Sequence, residues 1–312
     1  MRANSGMDQA EGLRQLLVRH GVAEPLDAEV SGSNLLPQVI TVAGGKPGGG
    51  RTSATINFAA ALARSGKDVL VLDENRAPNN SLDRLGLRAR YDLLDVVQGK
   101  CAPREAILTS RGISVLSTAR AMSALATLKQ AEQLRLEKAL AEMSNCVDVM
   151  LVDAAMLNGR AAVSSSMASP AVLLVVVDVT SSGITESYAL IKRLALENAR
   201  LHFGIVVNRA PDEKAAIRVF DNMAIVAHRK LAARLEYLGY IPPDDRLKRA
   251  TQLGRPVVEA FPAAVSAKSY MDLSQKLLRL LYRQGETEGG ISNVMKNLIL
   301  QLRSGEIAHV VN

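Results

Sequence analysis

Three observations in the sequence predict an α/β fold, a doubly wound and mostly parallel sheet. Short runs of Val, Ile and Leu recur from Gln38 onward. Segments with helical spacing separate them, and unbroken apolar strands joined by helices belong to parallel sheets covered on both faces. A glycine-rich stretch from Gly45 to Gly50 lies between the first strand and its helix. In such sheets ligands bind at the carboxyl ends of strands, which is where this stretch falls.

Val39–Ala43 is the first expected strand, followed by a helix over 52–64 that Gly66 stops. Further strands are expected at 69–72, 113–116, 147–152, 172–177, 203–207 and 237–241. Helices are expected near 121–144, 183–199, 213–234 and 267–283, each with apolar residues at i, i+3, i+4. Ahead of the sheet, Ser5-Gly6-Met7-Asp8 reads as a capping box for a helix over 8–20, with Ala10, Leu13, Leu16 and Leu17 on one face. Residues 22–36 hold Pro, Gly and Ser without a period and read as a linker. Ile291–Arg303 carries Ile291, Val294, Met295, Leu298, Ile299 and Leu302 at helical spacing. The expected organisation is a helix in 1–21, a linker in 22–37, one domain over 38–284 and an amphipathic tail over 285–312.

The 312 residues suffice for one full core with appended ends. No apolar run is long enough to span a membrane, and residues 1–7 lack a signal-peptide core, so a cytoplasmic location is expected. Cys101 and Cys146 form no disulfide or metal pattern, and the four histidines are scattered. A net charge of +7 favours anionic partners without choosing among them. With no Trp and four Phe, a base-stacking single-strand binder is disfavoured.

Gly45-Lys46-Pro47-Gly48-Gly49-Gly50-Arg51-Thr52 fits the phosphate-loop pattern except at Arg51, where lysine is expected. Glycines let backbone N–H groups curl around phosphate oxygens without Cβ clashes, and the helix N-terminus adds partial positive charge. The Thr52 hydroxyl is suited to ligating Mg²⁺.

Lys46, five residues ahead of Arg51, makes the loop resemble the deviant Walker A loop of the MinD/ParA family of P-loop NTPases. The resemblance implies ATP and Mg²⁺ as cofactors, and a homodimer formed on ATP in which Lys46 reaches the other subunit's phosphates. Val69–Asn75 resembles the strand leading to switch I, Val147–Asp153 the Walker B strand, and Val206–Arg209 the strand whose Asn-Arg pair frames adenine. It implies that Gly45, Gly48, Gly49, Gly50, Arg51, Thr52, Ser53, Asn208 and Arg209 hold nucleotide. Thr52, Asp73 and Asp153 would act around the metal, and Lys46 and Asn75 would stand in the catalytic positions.

Departures from the family pattern are as informative. Arg51 brings a planar fork where a compact ammonium is usual. Pro47 removes a backbone donor. Asn75 stands where the family carries the Asp that orients the attacking water, and losing such a group typically costs about 10²–10⁴-fold in rate. Together these changes predict weak nucleotide binding, slow hydrolysis, or both.

Asp8-Gln9-Ala10-Glu11-Gly12-Leu13-Arg14 resembles the D-Q-A-x-x-L-R motif of flagellar-number regulators (FlhG type) within that family. This implies docking of Asp8, Gln9, Leu13 and Arg14 on the flagellar signal-recognition-type GTPase FlhF. The carboxamide of Gln9 would position water in the partner's site. Residues 184–192, 239–242 and 255–258 resemble the same branch. Membrane-binding tails occur in this family, and a peripheral position on the inner membrane face or at the cell pole would follow. Yet Ile291–Arg303 has only Lys296 and Arg303 as basic residues, and a helix folded back on the domain is an equal reading. Rival readings are a pseudo-ATPase scaffold and a DNA-partitioning ATPase. Partitioning proteins lack the N-terminal motif, so nucleic acid is not the expected partner.

Overall fold

The computed structural model describes residues 38–78, 80–145, 147–157, 160–161, 172–198 and 202–283. The expected helices in 8–20 and 291–303 lie outside these residues, as do Asp8, Gln9, Leu13 and Arg14.

The chain begins with β1 (Gln38–Ala43), α1 (Arg51–Arg64) and β2 (Val69–Asp73). Three short helices follow: α2 (Ser81–Arg84), α3 (Leu93–Val97) and α4 (Pro103–Ala106). Next come β3 (Leu108–Ser110), β4 (Ile113–Ser117), α5 (Ala119–Ala124), α6 (Gln130–Ser144) and β5 (Val149–Asp153). A two-stranded ribbon, β6 (Met156–Leu157) with β7 (Arg160–Ala161), precedes β8 (Val172–Asp178) and α7 (Ser181–Asn198). The last elements are β9 (His202–Asn208), α8 (Glu213–Leu231), β10 (Arg234–Ile241), α9 (Asp245–Gln252), α10 (Val257–Ala260) and α11 (Val265–Arg283).

The main sheet runs β10-β9-β8-β1-β5-β2-β4-β3, and its pairs are parallel except β3 with β4. Side chains alternate between faces as the pleat requires. Ile40, Val42, Val69, Val71, Leu151 and Leu174 join one apolar cluster with Phe58 of α1 and Tyr270 of α11. On the opposite face, Val39, Leu70 and Met150 meet α3 and α6, while Leu173, Val175 and Ile205 meet α7 and α8. Helices on both faces make the sheet doubly wound. The Phe58 and Tyr270 rings meet edge-on, with centroids 5.3 Å apart, a geometry worth roughly 0.5–1.5 kcal/mol beyond area burial.

One expected helix, 121–144, is two. Residues Leu128 and Lys129 are extended, and Glu132 accepts from the Lys129 backbone N–H at 2.9 Å, starting α6 afresh. The helices at α2, α3, α4, α9 and α10 were not expected, because four to eight residues are too few to display a period. Asn80 and Asp92 do carry the signal available for such elements. Each caps a helix N-terminus through its side chain.

Candidate functional site

The strand order places β1 at the centre, with β5 on one side and β8 on the other. The segment leaving β1 therefore emerges between the ends of β5, β8 and, one strand further out, β9. Gly45 passes so close to α7 that a Cβ there would lie 2.2 Å from the Ser187 nitrogen. Gly50, at φ 98°, caps α1 in the left-handed region, and a Cβ would meet Asn208 Nδ2 at 2.2 Å. Only glycine fits either place.

The end of β9 clamps this loop from outside. Asn208 Nδ2 donates to the Gly49 carbonyl at 2.8 Å, and Arg209 Nη2 to the Gly48 carbonyl at 2.9 Å. Arg209 also pairs with buried Asp178 at the end of β8. Burial opposes ionisation of Asp178, but hydrogen bonds from Thr180 and the Arg209 charge outweigh it and hold its carboxyl below the ordinary range. Two loop carbonyls are engaged by Asn208 and Arg209, and the first turn of α1 carries no acidic residue and no side-chain cap. Its leading N–H groups have no helical partner, which makes this end an anion site. Thr52 is buried in that turn, and Ser53 hydrogen-bonds the buried Tyr270 hydroxyl.

A cavity of about 440 Å³ opens beside the loop, within the range of small-molecule sites. Lys46 to Ser53, Asn208 and Arg209 line one side; Arg84, Pro242, Pro243, Asp244 and Lys248 line the other. Every expected nucleotide-holding residue except Gly45 thus borders one space. Asn208 and Arg209 border it while also bracing the loop. Lys46 turns back toward α7, with Nζ 2.8 Å from Ser182 Oγ and 3.3 Å from Thr180 Oγ1.

The acid pair occupies the other side of the loop. Asp73 and Asp153 are opposite each other in the β2–β5 register, and both are fully buried. Arg51 reaches Asp153 from the start of α1. Its Nε donates to Asp153 Oδ1 at 2.8 Å and its Nη2 to Asn75 Oδ1 at 2.5 Å. Asn75 in turn donates through Nδ2 to Asp73 Oδ1 at 3.2 Å and to the Asp153 carbonyl at 3.0 Å. Ser81 completes the ring, its N–H on Asp73 Oδ2 at 2.6 Å and its hydroxyl on Asp153 Oδ2 at 3.2 Å. Burial, then the neighbouring Asp153 charge, push the Asp73 carboxyl up to about 7, against hydrogen bonds from Asn75 and Ser81.

Asn75 thus both accepts and donates, which a carboxylate in its place could not do. The expected Mg²⁺ ligands are affected too, because the oxygens of both carboxylates already accept from Arg51, Asn75 and Ser81. Among the described residues no group of three or more His, Cys, Asp or Glu forms a metal cluster. The carboxylate pair therefore suits a guanidinium rather than Mg²⁺, and Thr52 alone of the expected ligands stands outside this ring.

Sequence reasoning missed Ser81, Arg84, Asp178, Ser182 and the wall at Pro242–Asp244. A Ser after the paired Asn79-Asn80 and an Asp closing the Val172–Val177 run were the available signals.

The CobQ/CobB/MinD/ParA nucleotide binding domain matches residues 40–257 of the chain. The antiactivator FleN of Pseudomonas aeruginosa is 34% identical over 241 residues, covering 77% of this chain and 86% of that protein. The septum site-determining protein MinD of Helicobacter pylori is 27% identical over 282 residues, covering 83% and 98%. Among solved structures, the MinD cell division protein of Aquifex aeolicus superposes with a TM-score of 0.57 at 26% identity, covering 78% of this chain and 97% of that one. A MinD of Pyrococcus horikoshii complexed with Mg-ADP gives 0.58 at 21% identity, again over 78% and 97%, a likeness of fold.

Proposed function

Because the chain belongs to the CobQ/CobB/MinD/ParA nucleotide-binding family, we propose that it is an ATP-binding regulator of flagellar number or placement whose own hydrolysis is weak. The observation that carries this reading is the contrast at the loop. A helix N-terminus without a side-chain cap, its loop carbonyls engaged by Asn208 and Arg209, borders a cavity of nucleotide size. The water-orienting position is meanwhile filled by an amide held in three hydrogen bonds to Arg51, Asp73 and the Asp153 carbonyl.

Phosphates rest on the N–H groups of the loop and of residues 51–53, and the base lies toward Pro242 and Pro243. Lys46 leaves its hydroxyl partners for the phosphates of a second copy when a dimer forms on ATP. Asn75 keeps Arg51 and Asp73 in place but cannot supply the carboxylate's electrostatic pull on water. The chain works in the cytoplasm, and a tail on the inner membrane face would bring it to the pole. The regulatory output comes from residues 1–21, where Asp8, Gln9, Leu13 and Arg14 match the docking motif and Gln9 acts on the partner GTPase FlhF.

Calorimetric titration with ATP tests the first half; micromolar binding with only slow phosphate release is expected. Deleting residues 1–20 tests the second half and should abolish stimulation of FlhF GTP hydrolysis, whereas persistence of stimulation would refute docking. A pseudo-ATPase scaffold is the second reading, favoured by the engagement of Arg51 with Asp153. It requires that no ATP be bound at all.

A further inference from the structure

We propose that this site takes its nucleotide without a divalent metal, the Arg51 guanidinium occupying the carboxylate that would otherwise face Mg²⁺ and the cavity's own cations supplying the counter-charge. The proposal rests on the nucleotide-binding reading above and concerns what neutralises the phosphates.

Two independent observations carry it. Arg51 is only 12% exposed, and its fork spans Asp153 and Asn75, while Ser81 holds the remaining Asp153 oxygen. A hydrated metal entering here has to displace a buried ion pair whose planar donors match their acceptors. The second observation is the charge around the cavity. Lys46, Arg51, Arg84, Arg209 and Lys248 line it, against Asp244 as the acid of the wall. Arg51 is matched by Asp153, Arg209 by Asp178 and Lys248 by Asp245. Lys46 touches the neutral hydroxyls of Thr180 and Ser182, and the Nε of Arg84 is buried without a hydrogen-bond partner. Arg84 thus brings to the cavity wall a guanidinium charge that no described ion pair matches, and an anionic oxygen in the cavity would meet it. Arg84 belongs to no phosphate-binding motif in the sequence; it reaches the cavity because α2 follows the acid-pair strand.

The experiment is calorimetric titration of the full chain with ATP, once with Mg²⁺ and once with EDTA. The affinities should agree within about threefold, about half of the 1.4 kcal/mol that makes a tenfold difference. Tightening by Mg²⁺ of more than about tenfold overturns the proposal while leaving nucleotide binding intact. Absence of binding in both buffers removes the nucleotide reading and this proposal with it. Mn²⁺ alone, followed by its electron paramagnetic resonance signal, gives a readout that needs no nucleotide. Wild-type protein should leave the free signal unchanged, and Arg51→Ala should create a site by freeing Asp153. A Mn²⁺ site in the wild type overturns the proposal. Arg84→Gln, at a position that makes no described bond to the acid pair, should weaken ATP in EDTA by about tenfold; an unchanged affinity there also overturns it.

Discussion

The two sides of the phosphate loop have opposite characters. On the β8–β9 side, Asn208 and Arg209 hold the Gly49 and Gly48 carbonyls, Asp178 anchors Arg209, and the loop borders an open cavity. On the β2–β5 side, Arg51, Asn75 and Ser81 close around Asp73 and Asp153 and satisfy their oxygens internally. The difference teaches that a P-loop site has two separable parts. One grips phosphate through backbone geometry; the other activates water and holds metal through carboxylates. Substitutions can shut the second while the first persists, because the grip depends on glycines and strand order rather than on Arg51's identity.

The largest expected effect breaks the open side. Gly45→Val drives a side chain into the α7 backbone, where even a Cβ lies 2.2 Å from Ser187 N. ATP affinity measured by calorimetry should fall by about 100-fold or more as the loop is displaced. On the closed side, Asp153→Ala leaves the Arg51 charge buried without its partner. Urea unfolding should report a loss of about 3–5 kcal/mol. An undiminished stability would mean that Arg51 swings freely into the cavity and that the closed side is not closed.

A smaller effect sharpens the comparison through pH. Asp73's folded carboxyl is raised to about 7 from an ordinary value of 3.8. The folded state therefore holds this proton more tightly than the unfolded chain. Its contribution to stability is fully present below pH 4 and is lost as pH rises toward 7. Between pH 5 and 7 the wild type should lose on the order of 2 kcal/mol through this group, and Asp73→Asn should remove that part of the slope in urea unfolding. The smallest effect is expected from Asn75→Asp alone. It places a third carboxylate beside Asp73 and Asp153 while Arg51 still blocks them, so phosphate release should stay at the wild-type level. Adding Arg51→Lys should raise turnover, since an ammonium cannot bridge both acceptors as the fork does. Turnover raised by the single variant would show that Arg51 is no obstacle.

The central strands were legible because each is a continuous apolar run, and α1, α7, α8 and α11 because each is long enough to show its period. The short helices α2 and α9 were not, and with them went Arg84 and Lys248 on the cavity wall. The loop itself was legible residue by residue. The Asn208-Arg209 pair was expected at the base, and its bonds to the Gly48 and Gly49 carbonyls were not foreseeable, since nothing local sets them.

By itself the sequence determined the class of fold, the glycine loop, and the identities that make it unusual: Pro47, Arg51 and Asn75. Tertiary structure alone decided what those residues do. Arg51 meets Asn75 and Asp153, 24 and 102 positions away, and Arg209 meets Gly48 across 161. These contacts exist because β1 threads between β5 and β8, bringing the ends of distant strands together around one loop. Hydrogen bonds act over about 3 Å of space and not along the chain, so strand order chose which donors found which acceptors.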